Sequence, residues 1–364
     1  MLYKNDIADL IKFGLATIFV IVFFGALLYS IIKLAKMEIT NPSADISIII
    51  SALVRRDPAP AQTAGEAQVT TPDAVKKEPI KMVFVGDVML ARGVAYMVNK
   101  YGSDDDAFPF LKIKDTLSGA DVVFGNLEGP VSDKGYKAGS IYSFEADPKA
   151  IDGLTFAGFN VMSCANNHML DYTSAALEDT IARLKGASIL CAGAGANAAE
   201  ALAPKFLDVK GNKIAVLAYA DFAVESWYAT ETGPGIAKPT DENIKTGIDA
   251  AREQGADIVV VSFHFGNEYE AAPSDEQKHL SHLAIDGGAD LVIGHHPHVI
   301  QPTEEYKPGK WIAYSLGNFV FDQNFSAATM EGGMLEVSTE SGAVAGATEK
   351  RVTINNRYQP GPAE

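Results

Sequence analysis

Three histidines in four positions follow a short apolar run in the stretch Asp290 to Val299, DLVIGHHPHV. Neutral imidazole is the commonest transition-metal ligand, and the fixed φ of Pro297 helps hold His296 and His298 in one orientation. An isolated H-x-H pair is equally compatible with a polar loop, so partners must come from elsewhere. KMVFVGD ends at Asp87, DVVFGNLE at Asn126 and Glu128, and NVMSCANNH at Asn166, Asn167 and His168, with Asp171 three residues on; DIVVVSFHFGNEY carries His264 just past its apolar run. If these runs are parallel strands, their carboxyl ends share one edge of a sheet. Asp87, Glu128, Asn167, His264, His296 and His298 then converge although they lie far apart in sequence.

Carboxylates, an amide oxygen and imidazoles make a mixed oxygen and nitrogen shell. That set suits one or two divalent ions of Mn, Fe or Zn and disfavours an all-oxygen calcium site. Two adjacent ions need a bridging carboxylate, for which Glu128 is the candidate, and such a pair activates water and clamps a phosphoryl group. His168 is then placed to protonate the leaving oxygen, with Asp171 to orient it. Arg92, five residues past Asp87, is suited to gripping a phosphate or carboxylate. Asn126, Asn166, His295 and Asn318 are further candidates for contact with substrate, whereas Phe144, in the loop before Pro148, is expected to pack.

The elements that must position these residues alternate as in an α/β domain. Strands are expected at Lys81 to Val85, Asp121 to Phe124, Asn160 to Cys164, Lys213 to Tyr219, Asp257 to Phe263, Asp290 to Ile293 and Trp311 to Ser315. Apolar residues at helical spacing predict helices at Ala107 to Ser118, Pro148 to Ala157, Ser174 to Lys185, Asp241 to Gln254 and Ser274 to Asp286. Two alternating strands follow Gly332, and residues 356–364 read as a polar tail after a domain spanning 80–355. Ahead of that domain, Phe13 to Ile32 carries no charge and has the ~20-residue length of a transmembrane helix. Residues 1–12 flank it, and residues 33–79, rich in Ala, Pro and Thr, read as a flexible tether. The expected placement is a single-pass membrane protein, and Lys4 and Lys12 on one side balance Lys33 and Lys36 on the other, so charge does not set its orientation.

With 364 residues, of which 47% are hydrophobic, there is ample material for a core. A formal net charge of −16 excludes sequence-independent nucleic-acid binding, which needs clustered Lys and Arg. Cys164 and Cys191 sit in apolar runs and are expected as small buried hydrophobes, with no disulfide framework.

In order and spacing, GDVM, GNLE, ANNH, HFG, GHHPH and YSLGNFVFD resemble the CapA-type capsule-synthesis proteins of poly-gamma-glutamate production, a branch of the calcineurin-like metallophosphoesterases. The resemblance covers about Lys81 to Asp322. It implies a four-layer αββα sandwich, an anionic polymer or phosphoester substrate, other synthase subunits as partners, and a domain placed outside the cytoplasm. Carried over by motif, one metal falls to Asp87, Glu128 and His298 and the other to Glu128, Asn167, His264 and His296, with His168 as acid. Two positions depart from the pattern. Met89 follows Asp87 where a histidine ligand is usual, and Glu128 stands where the bridge is usually aspartate, so His295 is a candidate for the missing donor.

Overall fold

The computed structural model describes residues 76–138 and 141–363. One sheet runs in the order β16-β15-β14-β1-β2-β3-β4, with β13 also paired to β1. Its members are β1 (Lys81–Val88), β2 (Val122–Leu127), β3 (Val161–Ser163), β4 (Leu190–Ala192), β13 (Asn318–Val320), β14 (Glu331–Glu340), β15 (Ala343–Ile354) and β16 (Pro360–Pro362). A second sheet, β11-β12-β10-β9-β7-β6, comprises β6 (Lys205–Val209), β7 (Asn212–Ala220), β9 (Ile258–His264), β10 (Leu291–His295), β11 (Thr303–Lys307) and β12 (Lys310–Ala313). A two-stranded ribbon joins β5 (Ala194–Gly195) to β8 (Gly235–Ile236).

The strand pattern of the sequence explains the layering. Along β7, Ile214, Val216, Ala218 and Ala220 join one buried cluster with the residues of the first sheet. The alternate residues Ala215, Leu217 and Tyr219 join another, with Ile244 and Ile248 of helix Asp241–Glu253 and Leu280 and Ala284 of helix Asp275–Asp286. A strand with period-two side chains and both faces apolar must be covered on both sides, here by a sheet and by helices. β1, β2, β3 and β4 are mutually parallel, as are β7, β9, β10 and β12. Register then does what the sequence requires: Asp87 lies beside Asn126 on one side and Asn318 on the other, and His264 lies beside His295.

Several expectations change. The helix expected over Ala107 to Ser118 is a turn of 3-10 helix, Phe108–Phe110, followed by a short helix at Lys114–Leu117. The two pieces are separated by a turn at residues 111–113, with Pro109 in the first turn, where its missing amide donor costs nothing. A helix at Arg92–Tyr101, with Val94 and Val98 inward, lies outside the expected elements, although Val94, Met97, Val98 and Tyr101 recur at helical spacing. The polar tail folds back: β16 pairs antiparallel with β15, and Tyr358 and Gln359 are buried. The end of the tether is likewise docked, through Lys77 paired with Asp257 and the Glu78 amide donating to the Lys210 carbonyl at 3.1 Å. Cys164 and Cys191 are not separate thiols; they form a disulfide. Parallel pairing of β3 and β4 sets their Cα atoms 5.8 Å apart, within the span a disulfide bridges. Residues 13–32 lie outside the described residues; among those described, no helix is long and apolar enough to cross a membrane.

Close backbone approach fixes where the first strand ends. A Cβ on Gly86 would sit 1.9 Å from the Gly317 carbonyl oxygen, and one on Gly294 would sit 2.0 Å from that of Tyr314. Gly86→Ala is therefore expected to destabilise the fold by about 3 kcal/mol, the upper range for overpacking. Gly119→Ala, with nothing within 4 Å of its Cβ, should be neutral or mildly stabilising. Urea unfolding of both variants measures the contrast, and equal midpoints would refute it.

Candidate metal centre

The centre assembles in two halves. In the first, the Asp87 amide donates to the Gly317 carbonyl at 2.9 Å, which seats the carboxylate at the strand end. Asn126 Nδ2 donates to Asp87 Oδ1 at 2.9 Å and reaches Glu128 Oε2 at 3.3 Å. His298 Nδ1 lies 3.3 Å from Asp87 Oδ2, and its Nε2 lies 3.7 Å from Glu128 Oε1. The second half gathers three donors. His264 Nε2 is 2.8 Å from Asn167 Oδ1 and 3.1 Å from His296 Nδ1. Neighbouring ligands of one ion, each at about 2.1 Å from it, are separated by roughly this distance.

The loop holding both histidines has an unusual backbone. His296 has φ +97° and His298 φ +58°, in the left-handed region. Such positions cost about 1–3 kcal/mol each, and they persist where surrounding structure over-determines them. Asn318 is one of the restraints. Its Nδ2 donates to Gln323 Oε1 and the Thr329 carbonyl, which turns its Oδ1 towards His298 Nδ1, 3.0 Å away. With that nitrogen donating, Nε2 faces Glu128.

Burial and mutual charge push the titrations far from ordinary values. Burial acts to raise Asp87, yet the adjoining His295 and His298 rings hold its carboxyl well below the usual range. Burial, and then the Asp87 charge, drive Glu128 well above it. Burial would lower His298, but the Glu128 and Asp87 carboxylates lift it to about 9. His296 is brought down to about 3 by burial and by His298, and His264 is lowered by burial and by His296. At neutral pH the metal-free centre thus carries a protonated His298 beside a neutral His296.

The donor set fits divalent cations. Asp87, Glu128 and His298 present ligand atoms within 4.8 Å of one another. Glu128 Oε1 is buried without a hydrogen-bond partner, as are both ring nitrogens of His295. A buried carboxylate oxygen left so is costly unless a cation completes it. Asp87, Glu128 and His298 would hold one ion, and Asn167, His264 and His296 a second.

Beside the centre opens a cleft of about 860 Å³, lined by Arg92, Asn167, His168, Glu268, Tyr269 and His298 and edged by Tyr142, Phe222, Trp227 and Phe325. His168 Nδ1 is 2.7 Å from Asp171 Oδ2, which also accepts the Phe144 amide at 2.8 Å. Phe144 stacks on the imidazole at 3.9 Å between centroids, and the Arg92 guanidinium lies 4.6 Å from the same ring. Phe144 therefore packs, but against His168 at the cleft wall.

Four substrate candidates are placed differently from expectation. Asn126, Asn166, His295 and Asn318 are fully buried. Asn166 Nδ2 donates to the Leu127 carbonyl at 2.7 Å, and its Oδ1 accepts the His168 amide, so these amides position ligands and do not face the cleft. His295 sits behind Asp87, its Nδ1 3.3 Å from Oδ1. Arg92 does line the cleft, but it is paired with Asp322 through Nη2 and through Nε at 3.1 Å, so it is not a free cation. Met89 is buried with its sulfur turned back to the Ala91 amide, 3.1 Å away, and offers the centre nothing. Glu268 went unrecognised; its only sequence signal was its place four residues after His264.

Residues 81–323 match the family described as Bacterial capsule synthesis protein PGA_cap. The chain belongs to this family. It is 38% identical over 258 residues to the capsule biosynthesis protein CapA of Bacillus anthracis, covering 69% of this chain and 62% of that protein. The PGA biosynthesis protein CapA of Bacillus subtilis (strain 168) is 34% identical over 266 residues, 72% of this chain and 69% of that protein. The chain thus spans less than two thirds of the anthracis relative. Among solved structures, a phosphatase from Mycoplasma pneumoniae aligns over 76% of this chain and 94% of its own at 16% identity and a TM-score of 0.48. The calcineurin-like phosphoesterase YfkN of Bacillus subtilis aligns over 78% and 93% at 12% identity and a TM-score of 0.43. Likenesses this loose transfer no chemistry, which must come from the PGA_cap residues themselves.

Proposed function

We propose that the chain is a membrane-anchored, metal-dependent phosphoester hydrolase or transferase with the four-layer αββα sandwich of the metallophosphoesterases. It serves the synthesis, export or anchoring of poly-gamma-glutamate or a related anionic polymer, alongside other synthase subunits. The observation that carries this reading is the His168–Asp171 pair opening into a cleft beside a buried Asp, Glu and His cluster with an orphaned carboxylate oxygen. Asp87, Glu128 and His298, with Asn167, His264 and His296, would hold divalent cations, which would supply a water nucleophile near neutral pH and offset the charge of a phosphoryl group. Asp171 fixes the His168 ring through Nδ1, which leaves Nε2 to deliver a proton to the leaving oxygen. Phe144, stacked on that ring, keeps water from its face. Phe222, stacked on His296 at 5.1 Å, does the same for the histidine loop.

Full-length protein in detergent, assayed with Mn²⁺ and a generic aryl phosphodiester, tests the reading. Turnover that chelation removes and Mn²⁺ restores is expected. A second reading, a non-catalytic component that binds the polymer, is favoured by the donor lost at Met89; bound metal with no turnover on any phosphoester would select it. Anchoring is carried by the uncharged stretch Phe13 to Ile32. In cells with a permeable wall, added protease should cut within residues 40–75, and complete protection would place the domain inside.

A further inference from the structure

Measured against the motif that the family resemblance implies, the donor set is one short at Met89, whose sulfur accepts the Ala91 amide at 3.1 Å. Of the two groups that lie close enough to make up the deficit, His295 is enclosed behind Asp87 and belongs to neither of the donor clusters. Glu268 belongs to one: its carboxylate and the rings of His296 and His298 present ligand atoms within 4.8 Å of one another. We propose that Glu268 is a metal ligand of this chain, entering from the cleft side beside His296 and His298 and restoring the donor that Met89 does not supply. The inference rests on reading the cluster as a metal centre.

The loop that carries Glu268 is built against the histidine loop. The Phe265 amide donates to the His295 carbonyl at 3.1 Å and the Tyr269 amide to the Pro297 carbonyl at 2.8 Å. Gln301 Nε2 donates to the Glu270 carbonyl at 2.9 Å, which closes the far end. Gly266, at φ +90° with Gln277 side-chain atoms 2.4 Å from where a Cβ would lie, makes the turn that brings the loop in. Tyr269 follows at φ +66°. Glu268 is thus held on a fixed backbone with its exposed side chain at the mouth of the cleft, where the neighbouring Tyr269 hydroxyl is its partner and a cation would take that place. Three carboxylates set against two dications leave a net positive charge for an anionic group.

The test compares Mn²⁺ binding by full-length wild type, Glu268→Gln and Glu270→Gln, by equilibrium dialysis and titration calorimetry at neutral pH. Glu270 lies on the same loop, is exposed and belongs to neither donor cluster, so its variant controls for lost charge alone. Glu268→Gln should weaken at least one Mn²⁺ equivalent by about tenfold or more, while Glu270→Gln stays within about twofold of wild type. Because Glu268 is exposed, the metal-free melting temperature should not move; Glu268→Asp gives a second, milder substitution that should fall between Gln and wild type. An isotherm for Glu268→Gln that superimposes on wild type, an equal loss in Glu270→Gln, or a wild type that takes up no Mn²⁺ would overturn the inference. A chain that binds Mn²⁺ through Glu268 yet turns over no phosphoester leaves the inference standing and removes only the hydrolase reading.

Discussion

Glu128→Gln is expected to fold at least as well as wild type and to lose the metal centre. The side chain is enclosed between Asp87, Asn126 and His298, so an isosteric amide keeps the packing and removes the charge. Its carboxyl is pushed well above the usual range by burial and by Asp87. A raised carboxyl gives its full stability below the unfolded value near 4.3 and loses it as pH rises towards the folded value, so at neutral pH the metal-free fold bears a penalty that glutamine removes. Metal-free Glu128→Gln should therefore melt about 2 °C or more above metal-free wild type. With metal added the order should reverse, because wild type gains binding energy that the variant cannot. Turnover should fall by roughly a thousandfold, the equivalent of about 4 kcal/mol of transition-state stabilisation. Uptake also displaces protons from Glu128 and from His298, which sits at about 9, so Mn²⁺ affinity should weaken as pH is lowered. Bound metal per chain and calorimetric melting, with and without Mn²⁺, decide the matter. A variant that retains wild-type metal content would remove Glu128 from the centre.

How much of this site could be read from the chain follows from what kind of information places each residue. Parallel strands announce themselves as apolar runs, and their carboxyl ends must share an edge, so the meeting of Asp87, Asn126 and Asn318 on neighbouring strands follows from topology. The same logic brings His264 beside His295. Side-chain direction is another matter. Whether Asn126 faces substrate or braces Asp87 depends on which side of a buried strand end it occupies; Asn126, Asn166 and Asn318 are buried with their amides bonded to Asp87, the Leu127 carbonyl and His298, and His295 is buried beside Asp87.

Long-range pairing was also hidden. Arg92 read as an available cation because nothing near it in sequence neutralises it, whereas Asp322, 230 residues away, does so in the fold. The left-handed backbone at His296 and His298 has no glycine to signal it, and it rests on contacts from Asn318 and from the Tyr269 loop. That same loop delivers Glu268, whose place four residues after a strand end is where loops, more than strands, decide what a site contains.

His168→Ala should reveal, through its dependence on the leaving group, whether the imidazole acts as a general acid. The imidazole takes no part in either donor cluster, so metal content should equal that of wild type. With an alkyl phosphodiester, whose leaving oxygen needs a proton in the transition state, loss of a general acid should cost about 10²–10⁴ in turnover. With a p-nitrophenyl leaving group, which departs readily as the anion, the loss should be under about tenfold. Asp171→Asn should show the same divergence at smaller size, since the ring keeps Phe144 beneath it but loses the carboxylate that orients Nδ1. The divergence separates roles that a single rate cannot. A residue that merely shapes the cleft, or steadies the loop through Phe144, would slow both substrates by one factor, whereas a proton donor slows them in proportion to how much the leaving oxygen needs it. Equal losses on the two substrates would assign His168 to the cleft wall and leave the leaving oxygen to be protonated by solvent.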